Sequence, residues 1–233
     1  MSSQTPTLYG VSLGPGAPDL LTLRAVKILE ACPVVVYPQA AGLPSFAKTI
    51  AAAHLGEDKI EIPLVMPMLA NRFPAQEVYA AGAACIRGHL AEGRDVAVLC
   101  EGDSLLYGSF IYLLEQLRDV PVEIVPGVSS LFAVAAVAAQ PLVSRNETLT
   151  LVSGVLDSAT LKAKIGGAEA LAIFKVGRHF DRLKALIDDL GLLDQAVYVE
   201  RASLENELVL PLREARGQAP YFSMILLRKG PIV

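Results

Sequence analysis

Three glycine-bearing loops carry most of the chemistry that the residue types and spacings of this sequence allow. The first, Gly14-Pro15-Gly16-Ala17-Pro18-Asp19, follows a short apolar run and leads within a few residues into a helical pattern. Such a loop lets a ligand approach the backbone where side chains would block it, and a tight turn without a ligand has the same composition. It does not complete the dinucleotide fingerprint G-x-G-x-x-G, because Asp19 stands in place of the third glycine. Nor does the next apolar run end in an acidic residue for a ribose hydroxyl, since it ends in Tyr37-Pro38. The second loop, Glu101-Gly102-Asp103-Ser104-Leu105-Leu106-Tyr107-Gly108, puts two carboxylates and two glycines after the apolar run 96–100. Open α/β sheets bind ligands at that edge, although Asp103 or Ser104 also suits a helix cap. The third, Pro126-Gly127-Val128-Ser129-Ser130, ends another apolar run and opens a helix of small residues.

Other chemistry is thinly represented. Gly10-Val11-Ser12-Leu13-Gly14 matches the G-x-S-x-G elbow of α/β hydrolases, with Ser12 as nucleophile. Only one strand precedes it, whereas that architecture needs earlier strands to supply an oxyanion amide, so Ser12 reads better as a residue at the turn out of the first strand. His54, His89 and His179 are isolated, and no phosphate-cradling G-x-x-x-x-G-K-[ST] occurs. No protein-bound metal is expected, and His179 reads as structural. Cys32, Cys85 and Cys100 are odd in number, far apart and in apolar surroundings, so all three read as core thiols of a reducing, cytoplasmic protein.

The elements that must position these loops alternate between short apolar runs and helical patterns, the signature of an α/β architecture. Strands are predicted at 8–13, 34–37, 59–62, 96–100 and 122–125, and Thr22 can cap a helix with Leu23, Val26 and Leu29 on one face. Further helices are predicted over about 74–92, 105–117 and 129–140. Strands this apolar joined by crossovers imply a parallel sheet covered on both faces. After that the pattern changes: strands are predicted at 148–152, 171–175, 196–200, 207–210 and 221–227, the last three joined by short turns. A second, mixed sheet with antiparallel members follows. The expected domains are 1–125 and 126–233.

Composition narrows the function classes. Of 233 residues 53% are hydrophobic and 19% charged, with no Trp and a net charge of −4. The pI is near 5.4 and the mean hydropathy +0.46. Scattered basic residues in an acidic chain argue against a nucleic-acid surface, and the hydrophobicity excludes disorder. The uncharged stretch 124–144 is broken by Pro126, Gly127, Gln140 and Pro141, so it falls short of the ~20 apolar residues that a membrane span needs. The first ten residues, MSSQTPTLYG, have neither the basic nor the apolar region of a signal peptide.

Taken in order, the loops resemble the tetrapyrrole (corrin) methyltransferase family. The likeness covers essentially the whole chain, from VSLGPGAPDLLTLRA through CEGDSLLYGSF and VPGVSS to FKVGR, YVERAS and PYFSMILL. Within the family the chain is most similar to the branch acting at carbon 20 of precorrin-2, in VVVYP, in EGD followed by YGSFIYL, in KVGRHF and in YVERA. The resemblance implies the two-lobed tetrapyrrole methylase fold, a class III methyltransferase with its ligand in a cleft between the lobes. It also implies S-adenosylmethionine as cofactor, S-adenosylhomocysteine as product, formation of precorrin-3A on the way to cobalamin, and a homodimer. Pro15, Glu101, Gly102, Asp103, Leu106, Ser129 and Ser130 match the family's cofactor loops, and Val176 and Ala202 fall where family members close over the adenosyl group. Two positions depart from the family pattern: Ala17 replaces the usual Asp of GPGDP, and Ser104 the usual Pro of EGDP. A sister enzyme acting at another ring carbon, or a relative acting on RNA or a protein, is the alternative inside the family; a hydrolase using Ser12 and a noncatalytic nucleotide-binding module are the alternatives outside it.

Methyl transfer from a sulfonium to an electron-rich carbon asks little of side chains, because alignment alone contributes on the order of 7–11 kcal/mol. Asp103, Glu101 and Tyr107 are the candidates to take the departing proton. A polycarboxylate substrate on an acidic protein calls for local cations, for which Arg72, Arg145, Lys175, Arg178 and Arg201 are candidates.

Overall fold

The computed structural model describes residues 5–66 and 73–230. The chain divides into two compact units, Met1–Ser130 and Leu131–Val233. In the first unit β1 (Leu8–Ser12), β2 (Val34–Ala40), β3 (Ile60–Met66), β4 (Val96–Cys100) and β5 (Val122–Val125) form one sheet in the order β3-β2-β4-β1-β5. Every pairing in it is parallel. The helices are α1 (Leu23–Ala31), α2 (Phe46–Ala51), α3 (Phe73–Ala91) and α4 (Phe110–Gln116).

Strand periodicity explains why β4 is apolar throughout. Val96, Val98 and Cys100 point into a core shared with Ala83 and Ile86 of α3 and Phe110 and Leu113 of α4. Ala97 and Leu99 point the other way, onto Ala25 and Leu29 of α1 and Ala47 and Ile50 of α2. Thr22 caps α1 by accepting the Ala25 amide at 3.1 Å. The face of α1 differs from expectation: Leu23 is 82% exposed and Ala25 takes its place in the core beside Leu29. Leu23 is the first residue of the helix, and the buried positions are Ala25 and Leu29. Cys85 is exposed on α3, while Cys32 and Cys100 are buried, so only two of the three thiols are core residues. Burial pushes both of those thiols up to about 12.

The second unit holds α5 (Ser130–Val137) from its first turn onward, then β6 (Leu149–Ser153), α6 (Ser158–Gly167), β7 (Ala170–Phe174), α7 (Phe180–Asp189), β8 (Ala196–Glu200), β9 (Leu208–Pro211) and β10 (Ser223–Arg228). Its sheet runs β6-β7-β10-β8-β9, with β6 and β7 parallel and the other neighbours antiparallel. The mixed sheet is therefore as expected, because β10 slots between β7 and β8. Leu161 and Ile165 of α6 pack with Phe180, Leu183 and Ile187 of α7 over one face. Among the described residues no helix is long and apolar enough to cross a membrane.

Candidate active site

The carboxyl edge of the first sheet brings the three glycine loops together, because β4, β1 and β5 are adjacent. Past the end of the β1–β4 ladder, Leu13 N donates to Cys100 O at 2.8 Å. Gly14 and Gly102 then exchange a pair of backbone bonds at 3.1 and 2.7 Å. Both glycines have left-handed backbones, with φ of +77° and +67°. Gly127 approaches the same point from β5, so closely that a Cβ there would lie 2.5 Å from Ser12 Cβ and 2.9 Å from Gly102 O.

Side chains tie the loops further. Asp103 accepts the Leu105 amide at 3.0 Å through Oδ1 and the Gly127 amide at 3.2 Å through Oδ2. Both carboxylate oxygens are thereby used as braces, one within its own loop and one to the next. Ser12 and Ser104 are fully buried. Ser104 N donates to Ser12 Oγ at 2.9 Å, and the two hydroxyls lie 2.8 Å apart. Ser12 is thus an interior acceptor and not an exposed nucleophile, which removes the hydrolase reading. The same pair accounts for one departure from the family pattern, since a proline at position 104 has no N–H for Ser12 to accept.

Burial pushes the Glu101 carboxyl above its usual range, opposed by hydrogen bonds from its own amide and that of Ala47. Pro15 and Leu106 are half-buried on the same loops, Ser129 is buried, and Ser130 opens α5. Tyr107 is 44% exposed and holds a left-handed φ of +57°. That conformation ends the helical pattern expected over 105–117, and α4 begins only at Phe110.

The second unit has its own concentration of unusual backbone, also at a carboxyl edge. Lys175 follows β7 with φ +56°, Arg201 follows β8 with φ +49°, and Ser203 has φ +69°. Left-handed non-glycine residues are strained, and such strain clusters at functional sites. Lys175 and Arg178 are exposed, whereas Arg201 is half-buried with its Nη1 3.1 Å from Glu200 Oε2. Val176 is fully buried within the core of its unit, and Ala202 is 8% exposed. His179 stands at the residue before α7, and burial with the Arg178 and Arg182 charges keeps its imidazole below its ordinary value. Arg145 is not brought to this edge. It precedes β6, near the opposite end of the sheet where Arg228 binds Glu147 at 2.6 Å. Arg72 lies outside the described residues. Among the described residues no cluster of three or more His, Cys, Asp or Glu side chains is arranged to hold a metal ion.

A family model described as tetrapyrrole (corrin/porphyrin) methylases matches residues 7–216. The chain belongs to that family. It is similar to a precorrin-2 C(20)-methyltransferase of Sinorhizobium sp, with 37% identity over 230 residues, 94% of each chain. It is also similar to a cobalt-precorrin-2 C(20)-methyltransferase of Salmonella typhimurium, 34% identical over 95% of this chain and 96% of that one. Among solved structures, a Thermus thermophilus uroporphyrin-III C-methyl transferase complexed with S-adenosylhomocysteine shares its fold. That match has a TM-score of 0.67 and 24% identity, covering 96% of this chain and 92% of the other. The tetrapyrrole methylase fold expected from the loops is thus the fold observed. The Ser12–Ser104 pair and the left-handed Lys175, Arg201 and Ser203 carried no local sequence signal.

Proposed function

We propose that this tetrapyrrole methylase transfers a methyl group from S-adenosylmethionine to carbon 20 of precorrin-2, or of its cobalt complex, giving precorrin-3A in cobalamin biosynthesis. The observation that carries the reading is 37% identity to a precorrin-2 C(20)-methyltransferase over 94% of both chains. The carboxyl edge of the first unit suits the cofactor on its own chemistry. It offers bare backbone at the Gly14–Gly102 bridge, and Glu101 and Asp103 put two carboxyl groups on the same loop, the charge that a ligand with cationic centres calls for. When bound, S-adenosylmethionine supplies an activated methyl group for displacement by a carbon nucleophile.

Pro15, Glu101, Gly102, Asp103, Leu106, Ser129 and Ser130 hold the cofactor in this reading, together with Val176 and Ala202 of the second unit. Alignment of the reacting atoms is the main contribution, and the braces from Asp103 and Ser12 keep the loops rigid enough to provide it. With both Asp103 oxygens committed to amides, Glu101 is left to accept the departing proton, with the Tyr107 hydroxyl to assist. Burial raises the proton affinity of Glu101, which favours that role. Lys175, Arg178 and Arg201 are the cations assigned to substrate carboxylates, and Arg145, near the opposite end of that sheet, is left out of the set. The reading includes a cytoplasmic setting and a homodimer, the latter checked by analytical ultracentrifugation. Its test is a comparison of precorrin-2, cobalt-precorrin-2 and precorrin-4 as acceptors of labelled methyl. Transfer to either of the first two supports it, and transfer to precorrin-4 alone contradicts it.

A further inference from the structure

An aromatic pair stands beside the strained cations of the second unit. Tyr221 is 81% exposed and Phe222 38% exposed, their rings edge to face with centroids 5.1 Å apart. The sequence pattern placed both inside the last strand, but β10 starts only at Ser223. The backbone that carries them is fixed on all sides. Arg201 N donates to Phe222 O at 2.8 Å, Ser223 N to Tyr221 O at 3.1 Å, and Ser223 Oγ to Pro220 O at 2.6 Å. Gly177 N reaches the same Ser223 hydroxyl at 3.4 Å, which draws the Lys175–Arg178 loop against this segment.

The register makes the arrangement explicit. Ser223 faces Glu200 across β8, and continuing the pairing of Ile225 with Ile173 brings it opposite Lys175. Lys175 and Arg201 therefore flank the start of β10 about 10 Å apart, two strand spacings. Glu200 answers the Arg201 charge, and its other oxygen accepts from Tyr198 Oη at 2.8 Å. An exposed ring on a rigid backbone, with Lys175 and Arg178 alongside, matches a ligand with a flat apolar face and anionic groups on its rim.

We propose that this edge is a substrate platform, on which the Tyr221 ring meets the face of the reduced tetrapyrrole while Lys175 and Arg178 take carboxylates from its rim. The proposal rests on the methyltransferase reading and adds to it a residue, Tyr221, that sets substrate affinity. The test is steady-state kinetics with precorrin-2 varied at saturating S-adenosylmethionine. Tyr221→Ser raises KM for precorrin-2 about tenfold, the scale of one lost aromatic contact, and changes kcat less than about twofold. Tyr221→Phe restores the wild-type KM, and Arg178→Glu raises KM in a salt-dependent way. S-adenosylhomocysteine affinity stays unchanged in all three. An unchanged KM in Tyr221→Ser overturns the proposal, and so does a shift from dimer to monomer without a change in KM, which assigns the pair to a second copy. Absorbance titration with uroporphyrin, a stable tetrapyrrole polycarboxylate, separates the two claims. If the wild type transfers no methyl group yet binds uroporphyrin more tightly than Tyr221→Ser does, the platform stands and the reaction assigned above falls; equal binding by both ends the platform as well.

Discussion

Ser12→Ala probes the joint between the first two loops. The substitution removes the acceptor 2.9 Å from Ser104 N and the hydroxyl 2.8 Å from Ser104 Oγ, both at fully buried positions. A buried amide left without an acceptor costs about 2 kcal/mol, and the lost hydroxyl pair about 1 more. For a chain of this length the sum of about 3 kcal/mol lowers Tm by roughly 6–12 °C. Ser104→Pro supplies the control, because it deletes both the donor amide and the second hydroxyl. In that background Ser12→Ala is expected to cost less than about 1 kcal/mol, leaving a coupling of about 2 kcal/mol in the double-mutant cycle. Urea unfolding followed by circular dichroism, with calorimetry for Tm, reads both numbers. Equal costs in the two backgrounds refute the brace. Methyl transfer by Ser12→Ala below its lowered Tm is also expected, and its abolition with the fold intact would put Ser12 in the chemistry after all.

Three further outcomes are expected, the last of them in both units. Gly127→Ala places a Cβ 2.5 Å from Ser12 Cβ and 2.9 Å from Gly102 O, so it is expected to destabilise by about 1–3 kcal/mol in urea unfolding. Asp103→Ala releases the Leu105 and Gly127 amides and weakens S-adenosylhomocysteine binding about tenfold by calorimetry, with Asp103→Asn intermediate. The pH dependence carries two opposite signs. Glu101, raised by burial, favours the folded state when protonated, so its contribution declines as pH rises from the unfolded value of 4.5 through the raised one. Glu147 is held down by the Ser144 amide and by Arg228, so its contribution is full above 4.5 and is lost as pH falls through its lowered value. Tm measured against pH is expected to flatten on the alkaline side of that window in Glu101→Gln and on the acid side in Glu147→Gln.

Local signals and long-range ones divided the sequence reading. β4, β5 and β8 occupy the predicted spans, because each is rich in apolar and β-branched residues and is followed by charge, glycine or proline. The loops at their ends were equally visible, since proline and glycine mark backbone that must turn. What brings those loops into one edge is the strand order, and Ser12 meets Ser104 across 92 residues, a pairing that neither serine announces. The helix expected from Leu105 begins only at Phe110, because Tyr107 adopts a left-handed turn that no helix accommodates. Lys175, Arg201 and Ser203 were opaque for the related reason that positive φ is legible in a sequence only when the residue is glycine. Tyr221 was read as a strand residue on its type, and its exposure depends on β10 starting two residues later.

The carbon that receives the methyl group distinguishes the proposed activity from that of a sister enzyme. Incubation of the protein with precorrin-2 and S-adenosylmethionine labelled with carbon-13 in the transferred methyl, followed by NMR of the product, reads it directly. A single enriched methyl attached to carbon 20 is expected. Enrichment at any other ring carbon, or an unlabelled macrocycle from protein that binds S-adenosylhomocysteine, would contradict it.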